Sequence, residues 1–103
     1  MKFSCHVQTR ISDYRIAKDL EDWGYDACWF PDTQMMWSDC YATMALAAQC
    51  TSKIKIGTGV AITGTRIAPT TAASISSVNV VAPGRTFLGI GTGHTAMRVM
   101  GQD

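Results

Sequence analysis

No apolar run in this chain approaches the roughly 20 residues that cross a bilayer. There is no block of like charge. Nine Lys and Arg residues stand against eight Asp and Glu, for a net charge of +1, and the basic residues are scattered. That leaves no electrostatic footprint for nucleic acid or for an anionic membrane surface. The N-terminus enters a strand-like segment directly, without the charged and apolar regions of a signal peptide, so the expected compartment is the cytoplasm. Cys5, Cys28, Cys40 and Cys50 make no CxxC pair and do not cluster with His at metal-ligand spacing. Each sits inside a periodic segment, where cysteine packs as a small hydrophobe. Four reduced structural thiols and no metal are expected, with disulfides or a zinc site as the alternative. Linkers and low-complexity segments are missing as well.

What the chain does have is apolar content, 47% of 103 residues, arranged as an alternation. Lys2 to Val7 is a short strand candidate. Ser12 or Asp13 can cap a helix to about Trp23, with Ile16, Leu20 and Trp23 as its inward stripe and Gly24 as its stop. Asp26 to Phe30 is a second strand, ended by Pro31, which lacks the N–H a strand interior needs. Ser38 or Asp39 caps an alanine-rich helix to about Cys50, its buried face marked by Tyr41, Met44, Ala45 and Ala48. Lys53 to Ala61 is a third strand. Pro69 sits where a first helical residue would. Ala72, Ile75, Val78 and Val81 then repeat every three residues towards Pro83-Gly84.

The stretch Arg85 to His94 anchors the reading. Phe87 to Ile90 is a short apolar run between turn signals, a fully buried strand by pattern. It ends in a backbone bare at Gly89, Gly91 and Gly93, and a helix start follows at Thr95. Free N–H groups at a helix start favour anions, which makes this a natural ligand position. The order is βαβαβαβ plus the beginning of a helix, which implies an α/β fold with a parallel sheet and right-handed crossovers. Two closures fit: a doubly wound sheet, or the first half of a TIM (β/α)8 barrel.

Gly24-Tyr25-Asp26-Ala27-Cys28-Trp29-Phe30-Pro31-Asp32 resembles the second-strand segment of the luciferase-like monooxygenase superfamily. Ile56-Gly57-Thr58-Gly59-Val60, Thr65-Arg66-Ile67-Ala68-Pro69 and Pro83 through Gly93 resemble the third and fourth strands of the same group. The resemblance covers nearly the whole chain. It implies that residues 1–103 are the N-terminal half of a (β/α)8 barrel, as a fragment or a short form. The branch that looks most similar uses the deazaflavin coenzyme F420 and includes methylenetetrahydromethanopterin reductases and related alcohol or sugar-phosphate dehydrogenases. Other branches use reduced FMN with dioxygen.

The resemblance implies site residues. Asp32, just past a strand's carboxyl end, matches an aspartate that contacts the cofactor ring; read without the family it is a loop or helix cap. The residue after it is Thr33, where relatives often carry His. Gly59-Val60 matches a bulge with a non-prolyl cis peptide that supports the ring from behind; from the residues alone it is a strand end. Thr92-Gly93-His94 stands where relatives often have Thr-Gly-Glu. His94 can move a proton near neutral pH, or cap the next helix. His6 at the end of the first strand is either a catalytic group or a satisfied core histidine. Met35, Met36 and Trp37 line an apolar pocket or pack on the next helix. Arg66 and Arg98 reach an anion or stay solvated. The implied activity is hydride transfer between coenzyme F420, with FMN and dioxygen as the alternative, and a small-molecule substrate. No nucleic-acid or membrane partner is expected. Two unpaired sheet edges favour a homo-oligomer, and a catalytically silent, self-associating half-barrel is the further alternative. Gly91-Thr92-Gly93-His94-Thr95-Ala96 also fits the dinucleotide fingerprint G-x-G-x-x-A. That fingerprint normally opens its fold, however, and its acidic partner would fall beyond Asp103.

Overall fold

The computed structural model describes residues 1–102. Strands β1 (Ser4–His6), β2 (Ala27–Phe30), β3 (Lys55–Ile62) and β4 (Thr86–Gly91) alternate with helices α1 (Ile16–Asp22), α2 (Cys40–Gln49), α3 (Ala68–Val81) and α4 (His94–Val99). A 3-10 turn, Ile11–Asp13, precedes α1. The four strands form one sheet in the order β1-β2-β3-β4, and every neighbouring pair is parallel. A doubly wound sheet reverses its strand order at a switch point so that helices cover both faces. Here the order never reverses and the helices gather on one face. The arrangement is therefore an open segment of a (β/α)8 barrel, four consecutive units long.

Alternation along each strand sorts the two faces. Cys28 and Phe30 of β2 and Ile56 of β3 turn towards the helices. With Ile54 they join one core with Ala17, Leu20, Tyr41, Met44, Ala47, Ala48 and Val78. All four cysteines are free thiols. Cys28 and Cys40 lie in this core, Cys5 and Cys50 at its margin. Burial pushes the Cys28 thiol up to about 12, so it packs as an uncharged hydrophobe. No helix is long and apolar enough to cross a membrane among the described residues.

Four expectations need correction. Trp23 does not belong to the buried stripe of α1. It is the residue that ends the helix and stays 68% exposed, while Ala17 and Leu20 are buried. Ser12 and Asp13 fall in the 3-10 turn, and neither caps α1. On α3 only Val78 is buried. An apolar repeat of three residues drifts by roughly 60° per step on a helix of 3.6 residues per turn, so Ala72 and Val81 end on opposite sides. β4 is half-buried rather than enclosed, and Ile90 is 58% exposed. It is the sheet's edge, and the six residues of α4 cover only part of it. Asp39, one of the two anticipated caps of α2, does cap it: its Oδ2 accepts the Ala42 N–H at 2.9 Å.

Candidate active site

Parallel strands in sequential order bring all four carboxyl ends to one rim, the end where barrels carry their chemistry. The face away from the helices is lined by side chains that the register puts side by side. Trp29, Gly57 and Phe87 lie in one row. The Trp29 and Phe87 rings meet edge to face with centroids 4.5 Å apart. Gly57 makes this contact possible, because a Cβ there would intrude on the Phe87 ring. Gly57→Ala is accordingly expected to cost about 1–3 kcal/mol through overpacking, and adding Phe87→Leu should return part of it in urea unfolding. A neutral Gly57→Ala would mean that the ring swings freely and that the row is not packed.

His6 continues this row on β1, and its Nε2 reaches towards the rim, 2.6 Å from the Gly59 carbonyl oxygen. A carbonyl can only accept, so Nε2 carries the proton and Nδ1 is left as an acceptor. His6 is thus neither buried in the core nor free: it is exposed and pinned to β3. The Gly59–Val60 peptide bond is cis, and the β3–β4 register slips between Thr58 and Ala61. Val60 is half-buried and lies over β4, where a Cβ at Gly91 would come within 2.8 Å of its Cγ2. A Cβ at Gly89 would strike the Thr58 carbonyl oxygen at 2.5 Å. Beyond the Trp29–Phe87 pair, towards the rim, the inner side of β3 and β4 is therefore a strip of main chain from which Val60 projects.

Asp32 sits past the end of β2, 3% exposed, between the rim and the first turn of α2. Its Oδ1 accepts the Gln34 amide at 2.6 Å. Its Oδ2, together with Gln34 Oε1 and the Tyr41 hydroxyl, is buried without a hydrogen-bond partner among the described residues. Burial raises its pKa above the usual carboxylate value; Arg66 and the Ile62 main chain oppose the rise, Asp39 adds to it, and Gln34 opposes it. Arg66 is not the solvated arginine of the sequence reading. Its side chain is 18% exposed, donates to Asp39 at 2.8 Å, and lies 4.5 Å over the Tyr41 ring.

Gly93, with φ +66°, ends the bare run at the start of α4, and a Cβ there would collide with Ile62. Thr92 and His94 are exposed. They line a hollow of about 570 Å³ with Met97, Arg98 and Gln102, and neither Asp32 nor Val60 belongs to its lining. The expected residues thus fall into three groups along one rim: His6 with Gly59 and Val60, Asp32 with Arg66, and Thr92 with Gly93 and His94. Met35 and Met36 are exposed, and Trp37 is half-buried near Arg10. Gln34, Asp39 and Tyr41 were missed as neighbours of Asp32. The spacing of Gln34, two residues after a strand-end aspartate, was the one available signal.

The family model described as luciferase-like monooxygenase matches residues 12–103. A 5,10-methylenetetrahydromethanopterin reductase from Methanolobus tindarius is 42% identical over 84% of this chain and 26% of its own. An F420-dependent hydroxymycolic acid dehydrogenase from Mycobacterium tuberculosis is 36% identical over 76% of this chain and 24% of its own. Among solved structures, the coenzyme F420-dependent tetrahydromethanopterin reductase from Methanopyrus kandleri superposes with a TM-score of 0.87 at 27% identity. It covers 97% of this chain and 30% of that one. The chain spans about a quarter of the length of the curated relatives it matches. With the family model matched over most of its length and the barrel units in place, the chain belongs to the luciferase-like monooxygenase family.

Proposed function

We propose that the rim of this chain forms part of the active site of an F420-dependent oxidoreductase acting on a small organic substrate. The observation that carries the reading is the bare strip of β3 and β4. Rimward of Phe87, Gly89 and Gly91 keep it free of side chains except Val60, and His6 fixes the Gly59 carbonyl beside it. A flat ring system needs such a surface. The F420-dependent hydroxymycolic acid dehydrogenase at 36% identity and the coenzyme F420-dependent reductase that superposes at a TM-score of 0.87 support the choice of cofactor.

When bound, the deazaflavin supplies the hydride donor or acceptor. The chain's own residues hold and polarise. Val60 with the Gly59 main chain backs one ring face. Asp32 offers a buried carboxyl whose Oδ2 is uncommitted among the described residues. Thr92 and Gly93 give polar contacts at the next strand end. His6 Nδ1 is the acceptor that would take a proton, with the Nε2–H donated to the Gly59 carbonyl. His94, exposed on the hollow with Arg98, is the second proton carrier.

The test is a fluorescence titration of the chain with coenzyme F420 and, in parallel, with FMN, alongside sedimentation. F420 is expected to bind, and Val60→Asp to weaken it about tenfold or more, a loss of ~1.4 kcal/mol. Oxygen uptake with reduced FMN and no F420 binding would move the assignment to a flavin monooxygenase. An oligomer that binds neither would defeat the enzymic reading in favour of a silent, self-associating module. The edges of β1 and β4 are unpaired among the described residues, so a homo-oligomer is the assembly proposed here.

A further inference from the structure

We infer that Arg66 is a positioning residue shared between two carboxylates: its tether to Asp39 holds the guanidinium one step away from Asp32 and so controls whether Asp32 is charged. Nη2 of Arg66 is 2.8 Å from Asp39 Oδ1 and 4.0 Å from Asp32 Oδ1. The guanidinium lies over the Tyr41 ring, 4.5 Å from its centroid, and that contact does not fix which carboxylate it bonds. Asp39 cannot follow, because its Oδ2 is occupied as the cap of α2. The arginine therefore chooses between a fixed, half-exposed partner and a buried one, and the bond it makes is to the exposed one.

The groups that face Asp32 are few. Gln34 comes from its own loop. Arg66 comes from the loop before α3. Asp39, Cys40 and Tyr41 come from the start of α2, and the Ile62 main chain from β3. Burial pushes the Cys40 thiol well up, and pushes the Tyr41 hydroxyl to about 12, so both stay neutral. What remains is one cation between two carboxylates. With Asp39 ionised and bonded to Arg66, the cluster is balanced only if Asp32 holds its proton. Ionising Asp32 requires the guanidinium to move towards it. Two neighbouring orphan atoms, Gln34 Oε1 and the Tyr41 hydroxyl, leave room in the hydrogen-bonding pattern for that move. On the functional reading above, on which this consequence rests, the position of Arg66 decides whether Asp32 meets the cofactor as a donor or as an anion.

The test is a carboxyl NMR titration of Asp32 in the free chain, with no cofactor present. Arg66→Gln should raise the Asp32 midpoint by about one pH unit. Asp39→Asn, in which Asn still serves as an N-cap, releases the arginine and should lower the midpoint by a similar amount. The decisive comparison is the double variant: without Arg66, the effect of Asp39→Asn should shrink to less than half. If Asp39→Asn lowers the midpoint equally in both backgrounds, Asp39 acts on Asp32 directly and the shared arginine is wrong. An unmoved midpoint in Arg66→Gln overturns it too. Should Arg66→Gln unfold, Arg66→Met keeps the apolar stem over Tyr41 and serves as the neutral variant. A chain that titrates as expected yet binds no F420 retires the functional reading and leaves this inference standing; F420 binding with flat titrations does the reverse.

Discussion

Glu21→Gln is expected to cost the folded chain about 2 kcal/mol, and Glu21→Ala about 3 kcal/mol, because the carboxylate accepts three main-chain N–H groups that have no other acceptor among the described residues. Glu21 lies on α1 with its side chain 8% exposed. Its Oε2 accepts the N–H groups of Ser52, Lys53 and Ile54 at 2.9, 2.6 and 2.9 Å. These three amides belong to the turn that leads into β3, before the ladder can satisfy them. A single ionised oxygen thereby locks the end of α1 to the start of the central strand. Glutamine keeps the length but offers a neutral oxygen, which makes weaker bonds. Alanine leaves the amides to water and opens the turn.

The pH dependence follows with a definite sign. Burial alone would raise the pKa of Glu21; the Ile54, Lys53 and Ser52 amides, with Lys18 behind them, outweigh it and hold the carboxyl at about 2, from an ordinary 4.5. A depressed carboxyl contributes stability that is fully present above 4.5 and is lost as pH falls through about 2. At ~1.4 kcal/mol per pH unit the contribution is at most about 3 kcal/mol. Solvent screening at the edge of the turn brings it to roughly 2 kcal/mol. Urea unfolding of the native chain and Glu21→Gln should therefore show a stability gap that is constant from pH 7 to 5 and closes towards pH 2. A gap that stays open at pH 2 would show that the carboxylate's charge is not what holds the turn.

Glu21 also marks the boundary of what could be read from the chain alone. The strand–helix alternation was legible because each element carries its own punctuation: Gly24 after α1, Pro31 after β2, Pro69 at the start of α3, Pro83-Gly84 before β4. The bare main chain at Gly57, Gly89, Gly91 and Gly93 was legible for the same local reason. What presses against it was not: the ring of Phe87, the side chain of Val60 and that of Ile62 are set by register across strands. Closure was ambiguous because doubly wound and barrel sheets share the same β/α period, and strand order alone separates them. Asp32 was placed correctly at a strand's carboxyl end by Pro31, yet its dependence on Arg66 spans 34 positions of sequence and leaves no local trace. Salt bridges and amide clamps of that span obey no period, so the pattern of the chain names neither the partner of Arg66 nor that of Glu21. In α3, a three-residue repeat looked like a buried stripe until the helical drift dispersed it.

Arg85→Ala is expected to be as damaging as the loss of Glu21, about 3 kcal/mol, and for a complementary reason. Its guanidinium donates from Nη1 to the Ile54 carbonyl at 2.9 Å and the Thr51 hydroxyl at 3.0 Å. From Nη2 it donates to the Thr51 and Ala48 carbonyls at 3.1 and 3.4 Å. Ala48 and Thr51 close the C-terminal end of α2, where carbonyls have no helical partner and the helix dipole favours a cation. The Arg85 carbonyl meanwhile accepts the Ile56 N–H at 2.7 Å and so starts the β3–β4 pairing. One residue caps a helix and sets a strand register. Arg85→Lys should recover less than half of the loss, since an ammonium lacks the planar fork that reaches several carbonyls at once. The turn 51–54 is then held from both sides, the Ser52, Lys53 and Ile54 N–H groups by Glu21 and the Thr51 and Ile54 carbonyls by Arg85. No bond joins the two side chains among the described residues. Once either clamp is gone the turn loosens, and the other clamp has less left to hold. The double variant Glu21→Gln/Arg85→Lys should therefore lose less than the two single losses together, by about 1 kcal/mol in urea unfolding. Strict additivity would mean that each clamp grips its own end of the turn and that the main chain between them does not carry the coupling.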